Sequence, residues 1–235
     1  MKVSICIPCY EMGGNGHLLL DECLESITIQ KYDDIEVVIS DDSKDDLVYL
    51  TFLKFKDRIK TIFYHKNEKS NGRASGNLNN AMEKASGDII KILFQDDLLY
   101  SQFSVSDVVN SFLNNPESKW IATSCCHTYD GKITFNHRNP ILTGDIIHGN
   151  NQIGSPSVIA LKKDADQILE FDPNFNWLMD CDFYYRMIKY KGDPKLINIP
   201  TVVIRRWNGQ MTETISQEEK DKEHLSIIKK YSITE

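Results

Sequence analysis

Two pairs of adjacent carboxylates stand at the ends of apolar runs in this chain. Asp96-Asp97, preceded by Gln95, follow Ile89-Ile90-Lys91-Ile92-Leu93-Phe94, and Asp41-Asp42 follow the run from Ile35 to Ser40. Both runs read as buried strands. Side chains at the carboxyl ends of strands in an open α/β sheet line its ligand crevice. Two neighbouring carboxylates there can hold a hard divalent cation, and that cation can hold phosphates. The spacing therefore points to nucleotide chemistry.

The elements that must position these acids alternate along the first hundred residues. Strands are expected at Val3–Ile7, Ile35–Ser40, Ile59–Tyr64 and Ile89–Phe94. Between them, Leu20, Cys23, Leu24 and Ile27 recur at helical spacing. Asp45–Phe55 reads as a helix opened by Asp and Ser, and Ala74–Ala85 as one closed by Gly87. This βαβαβαβ order predicts a mostly parallel, Rossmann-like sheet with helices on both faces. The second half is less regular. A helix is expected at Val105–Leu113, a hairpin of Trp120–Thr128 with Lys132–Phe135 about Asp130-Gly131, and a short strand at Ser157–Leu161. Asn136–Gly154 reads as a mobile polar loop. Asp180–Tyr190 reads as a helix, Leu196–Arg205 as a strand, and Ser216–Tyr231 as a charged helix with Leu225 and Ile228 on one face.

Composition narrows the partners. The chain has 235 residues and a formal net charge of −7, which argues against a nucleic-acid backbone. An acidic protein still binds anionic small molecules where a metal inverts the local field. No apolar stretch approaches the roughly 20 residues that span a bilayer, and no leader opens the chain. A cytoplasmic protein is expected, with room for peripheral association at the inner face of a membrane. Six cysteines include Cys6-Ile7-Pro8-Cys9 at redox spacing. Cys6 falls inside the first strand, however, and a loop rather than a helix follows Cys9, so a core role is expected. Cys125-Cys126 are adjacent, unlike zinc-finger ligands. There is no G-x-x-x-x-G-K-[ST] loop, and Gly14-Asn15-Gly16 lacks the third glycine of a dinucleotide fingerprint, with Leu19 in its place.

Six short segments, in order, resemble the family 2 glycosyltransferases of the GT-A fold, from Val3 to about Thr212. Val3–Tyr10 looks like that family's opening strand ending in P-x-Y. Leu24-Glu25-Ser26-Ile27 with Gln30 is similar to its L-x-S-I-x-x-Q helix, and Ile39–Ser43 to V-D-D-G-S. Asn77-Leu78-Asn79 followed by Ala85-Ser86-Gly87-Asp88 resembles N-x-N and A-x-G-[DE]. Phe94–Asp97 stands where D-x-D stands, and Met179–Asp182 with Arg186 resembles E-D-x-D-L-x-x-R. Gln95 and Met179 depart from the acids of those motifs.

The resemblance implies an inverting hexosyl- or deoxyhexosyl-transferase. Its donor would be a UDP-, dTDP- or GDP-linked sugar, its acceptor a glycan or lipid-linked saccharide, and its cofactor Mn²⁺ or Mg²⁺. Residues 1–100 would form the nucleotide-sugar half, 101–215 an acceptor half with a smaller sheet, and 216–235 a C-terminal helix, all in one domain. Asp97 would be the metal ligand and Asp96 a ribose or sugar contact. Asp41 or Asp42 would receive the base or ribose, the other serving as a turn residue. Pro8 and Tyr10 would shape the base pocket. Arg73, in Asn71-Gly72-Arg73, is a candidate for the diphosphate, and Asn77 and Asn79 for orienting the donor or capping the helix, with Asn79 taken as the donor contact; Arg205, Arg206 and Gln210 are further candidates to close over the diphosphate. Asp180 would be the general base. Helix geometry supports choosing it over Asp182, because residues four apart share a face and Asp182 can pair with Arg186. Two rivals remain: a nucleotidyltransferase, although Glu11–His17 carries glycines without Lys or Arg, and a non-catalytic nucleotide- or glycan-binding module.

Overall fold

The computed structural model describes residues 1–69, 73–163 and 169–232. The first half has the expected alternation: β1 (Val3–Cys9), α1 (Gly16–Thr28), β2 (Ile35–Asp41), α2 (Leu47–Phe55), β3 (Ile62–Lys66), α3 (Ala74–Lys84) and β4 (Ile89–Ile92). β1 pairs in parallel with β2 on one side and β4 on the other, and β2 pairs in parallel with β3. All seven residues of β1 are buried, as in a strand covered on both faces. The chain runs β1, β2, β3 outward in one direction and then returns to place β4 on the far side of β1. That reversal opens a crevice between the carboxyl ends of β1 and β4.

The second half supplies β5 (Leu98–Leu99), α4 (Ser104–Asn114), β6 (Trp120–Thr128), β7 (Thr134–Arg138), β8 (Ile159–Lys162), α5 (Met179–Lys191), β9 (Lys195–Arg205), α6 (Met211–Thr214) and α7 (Gln217–Ser232). Its strands extend the same sheet, in the order β3-β2-β1-β4-β8-β6-β9-β5, with β7 paired to β6. β8 runs antiparallel between β4 and β6, and β6 runs parallel to β9. The α/β class holds. No helix among the described residues is long and apolar enough to cross a membrane.

Several boundaries differ from the sequence expectation for local reasons. β3 begins at Ile62 because Ile59 N–H still donates to Phe55 O (3.0 Å), finishing the turn after α2. β4 stops at Ile92 because Phe94 O accepts from Asp97 N–H (3.0 Å), closing a turn that carries the acidic pair. The 136–154 segment is tied to the core through buried Ile146 and Ile153. On α7 it is Ile227 that is buried, while Leu225 is 69% exposed. All six cysteines are free and buried. Burial pushes the Cys6 and Cys9 thiols far up, which suits core residues rather than a redox pair.

α7 fastens α5. Asp182, fully buried, accepts from Arg186 Nε (2.8 Å) and Nη2 (2.6 Å) on one oxygen, and from Lys230 Nζ (2.5 Å) and Tyr231 OH (2.5 Å) on the other. The Glu223 carboxylate accepts from the backbone N–H groups of Asn176, Trp177 and Leu178 (2.8–2.9 Å) just before α5 begins. One of them, Leu178, is the N-cap of α5, whose N–H a helix start leaves unsatisfied.

At the amino-terminal edge of the sheet, Glu36 is buried among donors. Ser4 Oγ, Ser86 Oγ and N–H, and Lys2 Nζ all reach its carboxylate. Burial alone would raise its pKa, but these bonds hold it down to about 2. A carboxylate with a depressed folded pKa contributes stability above its unfolded pKa and loses it as pH falls through the folded one. The wild type should therefore lose melting temperature between about pH 4.5 and pH 2. Glu36→Gln should start lower at pH 7 and flatten that slope, as a pH series of thermal melts would read.

Candidate active site

The crevice predicted between β1 and β4 is a cleft, and both halves of the chain line it. From the first half come Pro8, Tyr10, Met12, Asp42, Asn77 and the run Phe94 to Asp97. From the second come Ser155, Pro156, Trp177, Met179, Asp180, Ile204, Gln210 and Thr212. Pro8, Tyr10, Asp42, Asp96, Asp97 and Asp180, all predicted from sequence, meet in this one space.

Gln95 explains how the first wall is built. Its Oε1 accepts from Tyr10 N–H (2.6 Å), and its Nε2 donates to Tyr10 O (2.9 Å) and Gly16 O (3.0 Å). One buried amide thus staples the loop after β1 to the loop after β4. A Cβ on Gly16 would lie 2.0 Å from Tyr10 O and 2.7 Å from Gln95 Nε2, so only glycine fits. The residue that departs from the acidic motif satisfies backbone groups that a carboxylate, an acceptor only, would leave half unpaired. Gln95→Ala should cost about 1–3 kcal/mol by stranding those groups, measurable by urea denaturation.

The acids differ in what surrounds them. Asp41 is fully buried and its oxygens are taken: Oδ1 by Ser43 N–H (2.9 Å) and Oγ (2.5 Å), Oδ2 by Tyr64 OH (2.6 Å) and Lys66 Nζ (3.3 Å). It shapes the turn, and Asp42 lines the cleft. Asp96 accepts from Trp207 Nε1 through Oδ2 (3.1 Å), and its carbonyl from Arg205 Nε (3.2 Å). Asp97 Oδ1 accepts from Arg205 N–H (3.1 Å). Arg205 itself pairs with Glu22, on α1. Burial raises the pKa of both Asp96 and Asp97, and for Asp97 the neighbouring Asp96 charge adds to it. Arg205 opposes the rise at Asp96 and Lys91 opposes it at Asp97. Lys91 is itself buried, with Nζ donating to Ser157 O and Ile159 O, and burial brings its pKa down to about 7.

Asp180 reaches the cleft from the first turn of α5. Asn151 Nδ2 donates to its Oδ2 (2.6 Å) and Cys181 N–H to its Oδ1 (2.7 Å). Burial raises its pKa, and these two bonds oppose the rise. Asn151 is held in turn by donating to Gly154 O (2.8 Å). Asn151 falls in the segment expected to be a mobile loop, and nothing in its local pattern marks it.

Two residues expected at the donor, Asn79 and Arg73, do not line the cleft. Asn79 Oδ1 accepts from Phe171 N–H (2.7 Å) and its Nδ2 donates to Phe171 O (2.8 Å), so its amide clamps α3 to the segment before α5, away from the cleft. The cleft residue of that motif is Asn77, whose Nδ2 donates to Cys9 O (2.8 Å). Arg73 is exposed and donates to Pro173 O (2.7 Å) rather than lining the cleft. Asn71 and Gly72 lie outside the described residues.

Residues 4–169 match the family model described as "Glycosyl transferase family 2". The chain belongs to this family. The matched span ends before α5, so Asp180 lies beyond it. Among curated relatives of this family 2 chain, it is 34% identical over 103 residues to the GalNAc(5)-diNAcBac-PP-undecaprenol beta-1,3-glucosyltransferase of Campylobacter jejuni, covering 43% of this chain and 31% of that protein. It spans 22% and 61% of the next two curated relatives. Two solved structures share the fold. One is S. aureus TarS 1-349 with UDP-GlcNAc (TM-score 0.67, 16% identity, 94% of this chain and 64% of that one). The other is the mannosyltransferase PcManGT from Pyrobaculum calidifontis with GDP-Man and Mn²⁺ (TM-score 0.66, 17% identity, 100% and 64%). Both carry the GT-A architecture expected from the sequence.

Proposed function

We propose that this chain transfers a sugar, with inversion, from a nucleoside diphosphate sugar to a hydroxyl of a glycan or lipid-linked acceptor. The observation that carries the reading is a single cleft holding Asp42, Asp96 and Asp97 at strand ends and Asp180 from α5. Pro8 and Tyr10 bound the base, and Asp42 accepts hydrogen bonds from base or ribose. Asp96 contacts ribose or sugar. Asp97, with Asp96 beside it, fits a divalent cation: both are buried carboxylates that line the cleft. No group of three or more His, Cys, Asp or Glu gathers as a metal cluster among the described residues. Mn²⁺ or Mg²⁺ would draw its other ligands from phosphate and water. When bound, such an ion supplies positive charge to the departing diphosphate.

Asp180 takes the proton of the acceptor hydroxyl as that oxygen bonds to the anomeric carbon. The bond from that carbon to the diphosphate oxygen breaks, and the nucleoside diphosphate leaves with the electron pair. Attack from the face opposite the leaving group inverts the centre. Cleft walls from both halves of the chain hold donor and acceptor together, which removes much of the entropic cost of the encounter. A cytoplasmic site, with membrane contact only through the acceptor, belongs to this reading.

Thermal melts with nucleoside diphosphates and nucleotide sugars, with and without Mn²⁺ or Mg²⁺, test it, since a ligand that binds only the folded state raises the melting temperature. A metal-dependent rise for one base, followed by release of a nucleoside diphosphate, is expected. Release of pyrophosphate from a nucleoside triphosphate would mean nucleotidyl transfer instead. Binding without turnover on any acceptor would mean a binding module.

A further inference from the structure

Three of the six arginines in this acidic protein have acids for partners, and Arg73 donates to a backbone carbonyl. Arg58 pairs with Glu25, Arg186 with Asp182 and Arg205 with Glu22. Arg138 and Arg206 have no carboxylate partner among the described residues. Arg138 Nη2 reaches only Asn151 O and Gln152 Oε1, both at 3.5 Å, and Arg206 Nη2 reaches His127 Nε2 at 3.4 Å.

The sheet puts these two arginines on one face. In register, His127 on β6 lies beside Ile204 on β9, and Ile204 lines the cleft. Side chains two apart on a strand share a face, so Cys125 follows His127; Tyr129 and Arg206, just past the ends of β6 and β9, join them by contact, Tyr129 through Phe135 and Arg206 through His127. Across the hairpin, His127 faces Phe135 and Cys125 faces Arg138. That spacing is two residues on β6 against three on β7. The extra residue is a bulge, marked by Asn136 at φ +49°. Without it Arg138 would point to the opposite face; a bulge re-aims side chains in this way. Electrostatics agree, because both Arg138 and Arg206 act on Cys125 and on His127.

An aromatic shelf adjoins the two cations. Tyr129 stacks on Phe135 at 4.7 Å, and His127 lies 6.0 Å from Phe135. Tyr129 is 71% exposed. The hairpin's own acid, Asp130, is exposed but engaged by its turn: its Oδ1 accepts from Lys132 N–H, Ile133 N–H and Thr128 Oγ1. Its glycine, Gly131 (φ +77°), sits against the Arg205–Glu22 pair, where a Cβ would meet both. The hairpin is therefore seated next to the residue that holds the Asp96 carbonyl.

We propose that this face, Arg138 and Arg206 flanked by the Tyr129–Phe135 shelf, is the acceptor subsite and takes a sugar carrying a phosphate ester. Paired arginines suit the planar, bidentate recognition of phosphate, and an aromatic face covers the apolar side of a pyranose. The inference rests on the glycosyltransferase reading and names its acceptor class.

The test titrates α-D-glucose 1-phosphate, glucose and glucuronate into wild type, R138Q, R206Q and R138Q/R206Q, followed by the histidine ring signals in NMR. Nucleoside diphosphate binding is measured on the same samples by thermal melts. Glucose 1-phosphate should bind the wild type at least tenfold tighter than glucose or glucuronate, and the double variant should lose that margin while keeping nucleotide binding. Phosphatidylcholine vesicles with and without farnesyl diphosphate separate the sources. Arginine-dependent binding to the charged vesicles assigns the phosphate to a lipid, and to the soluble ester alone assigns it to a soluble saccharide; either supports the proposal. Equal binding of glucose 1-phosphate by wild type and double variant would overturn it, as would a preference for glucuronate. Weakened nucleotide binding in R206Q would overturn it too, by moving Arg206 to the donor side. Absence of nucleotide binding in the wild type would instead sink the glycosyltransferase reading.

Discussion

Asp180→Asn should keep donor binding and lose transfer by about 10²–10⁴-fold in kcat, the range that general base catalysis contributes. The substitution keeps size and removes the group that accepts the proton. It is not silent locally. Asp180 now accepts from both Asn151 Nδ2 and Cys181 N–H; an asparagine has one acceptor oxygen, so one of those donors loses its partner. Melting temperature should fall modestly, and the nucleotide-induced rise should persist, which separates lost chemistry from lost fold. The pH profile gives a second, independent reading. A base works only when ionised, so kcat/KM should fall as pH drops through its pKa. Burial raises that pKa above the ordinary aspartate range, so the acid limb should lie higher than a solvated aspartate would place it. Asn151→Ala removes a bond that favours the carboxylate and should move the limb higher still. If Asp180→Asn retained wild-type kcat, another group would be the base.

The sequence carried the cleft further than it carried the assignment of neighbours within it. Strand ends could be located from apolar runs, and with them Pro8, Tyr10, Asp42, Asp96 and Asp97. Which member of Asp41-Asp42 turns inward could not be seen, because the choice is made by Tyr64 and Lys66 on the adjacent strand. Asn77 and Asn79 pose the same problem with a legible answer. Two residues apart on a helix cannot share a face, and Ala74, Asn77 and Ala81 stand at i, i+3 and i+7. That spacing selects Asn77. Gln95 looked like a lost metal ligand and proves to be a backbone staple, a role that requires knowing that two loops touch. The contributions of Asn151 and Glu223 come from contacts 29 residues and more away in sequence, which periodicity does not encode.

Asp97→Asn should abolish metal-dependent nucleotide binding without lowering the stability of the free protein. Most substitutions of buried, hydrogen-bonded groups destabilise, so the second half of that expectation runs against the usual sign. Its reason is charge. Asp97 is 2% exposed, the Lys91 charge and the bonds from Ser157 and Arg205 N–H only partly oppose the cost of burying it, and Asp96 stands next to it. An asparagine of the same shape still offers an oxygen to Arg205 N–H, can turn its amide to donate to Ser157 Oγ, the other group bonded to Asp97, and brings no second negative charge into the site. Function here is held at the expense of stability, as is common where a site must wait for a charged ligand. The loss appears only with ligand. For a nucleotide present at about 100 times its Kd, binding stabilises by about 2.7 kcal/mol, and that increment should vanish along with its dependence on Mn²⁺. Asp96→Asn is the discriminating companion. Its carboxylate also holds Trp207 Nε1, so it should weaken nucleotide binding while retaining some metal dependence. If instead Asp97→Asn kept a metal-dependent melting rise and Asp96→Asn lost it, the two neighbours would exchange roles. If neither lost it, the cation would be held by phosphates and residues outside this pair.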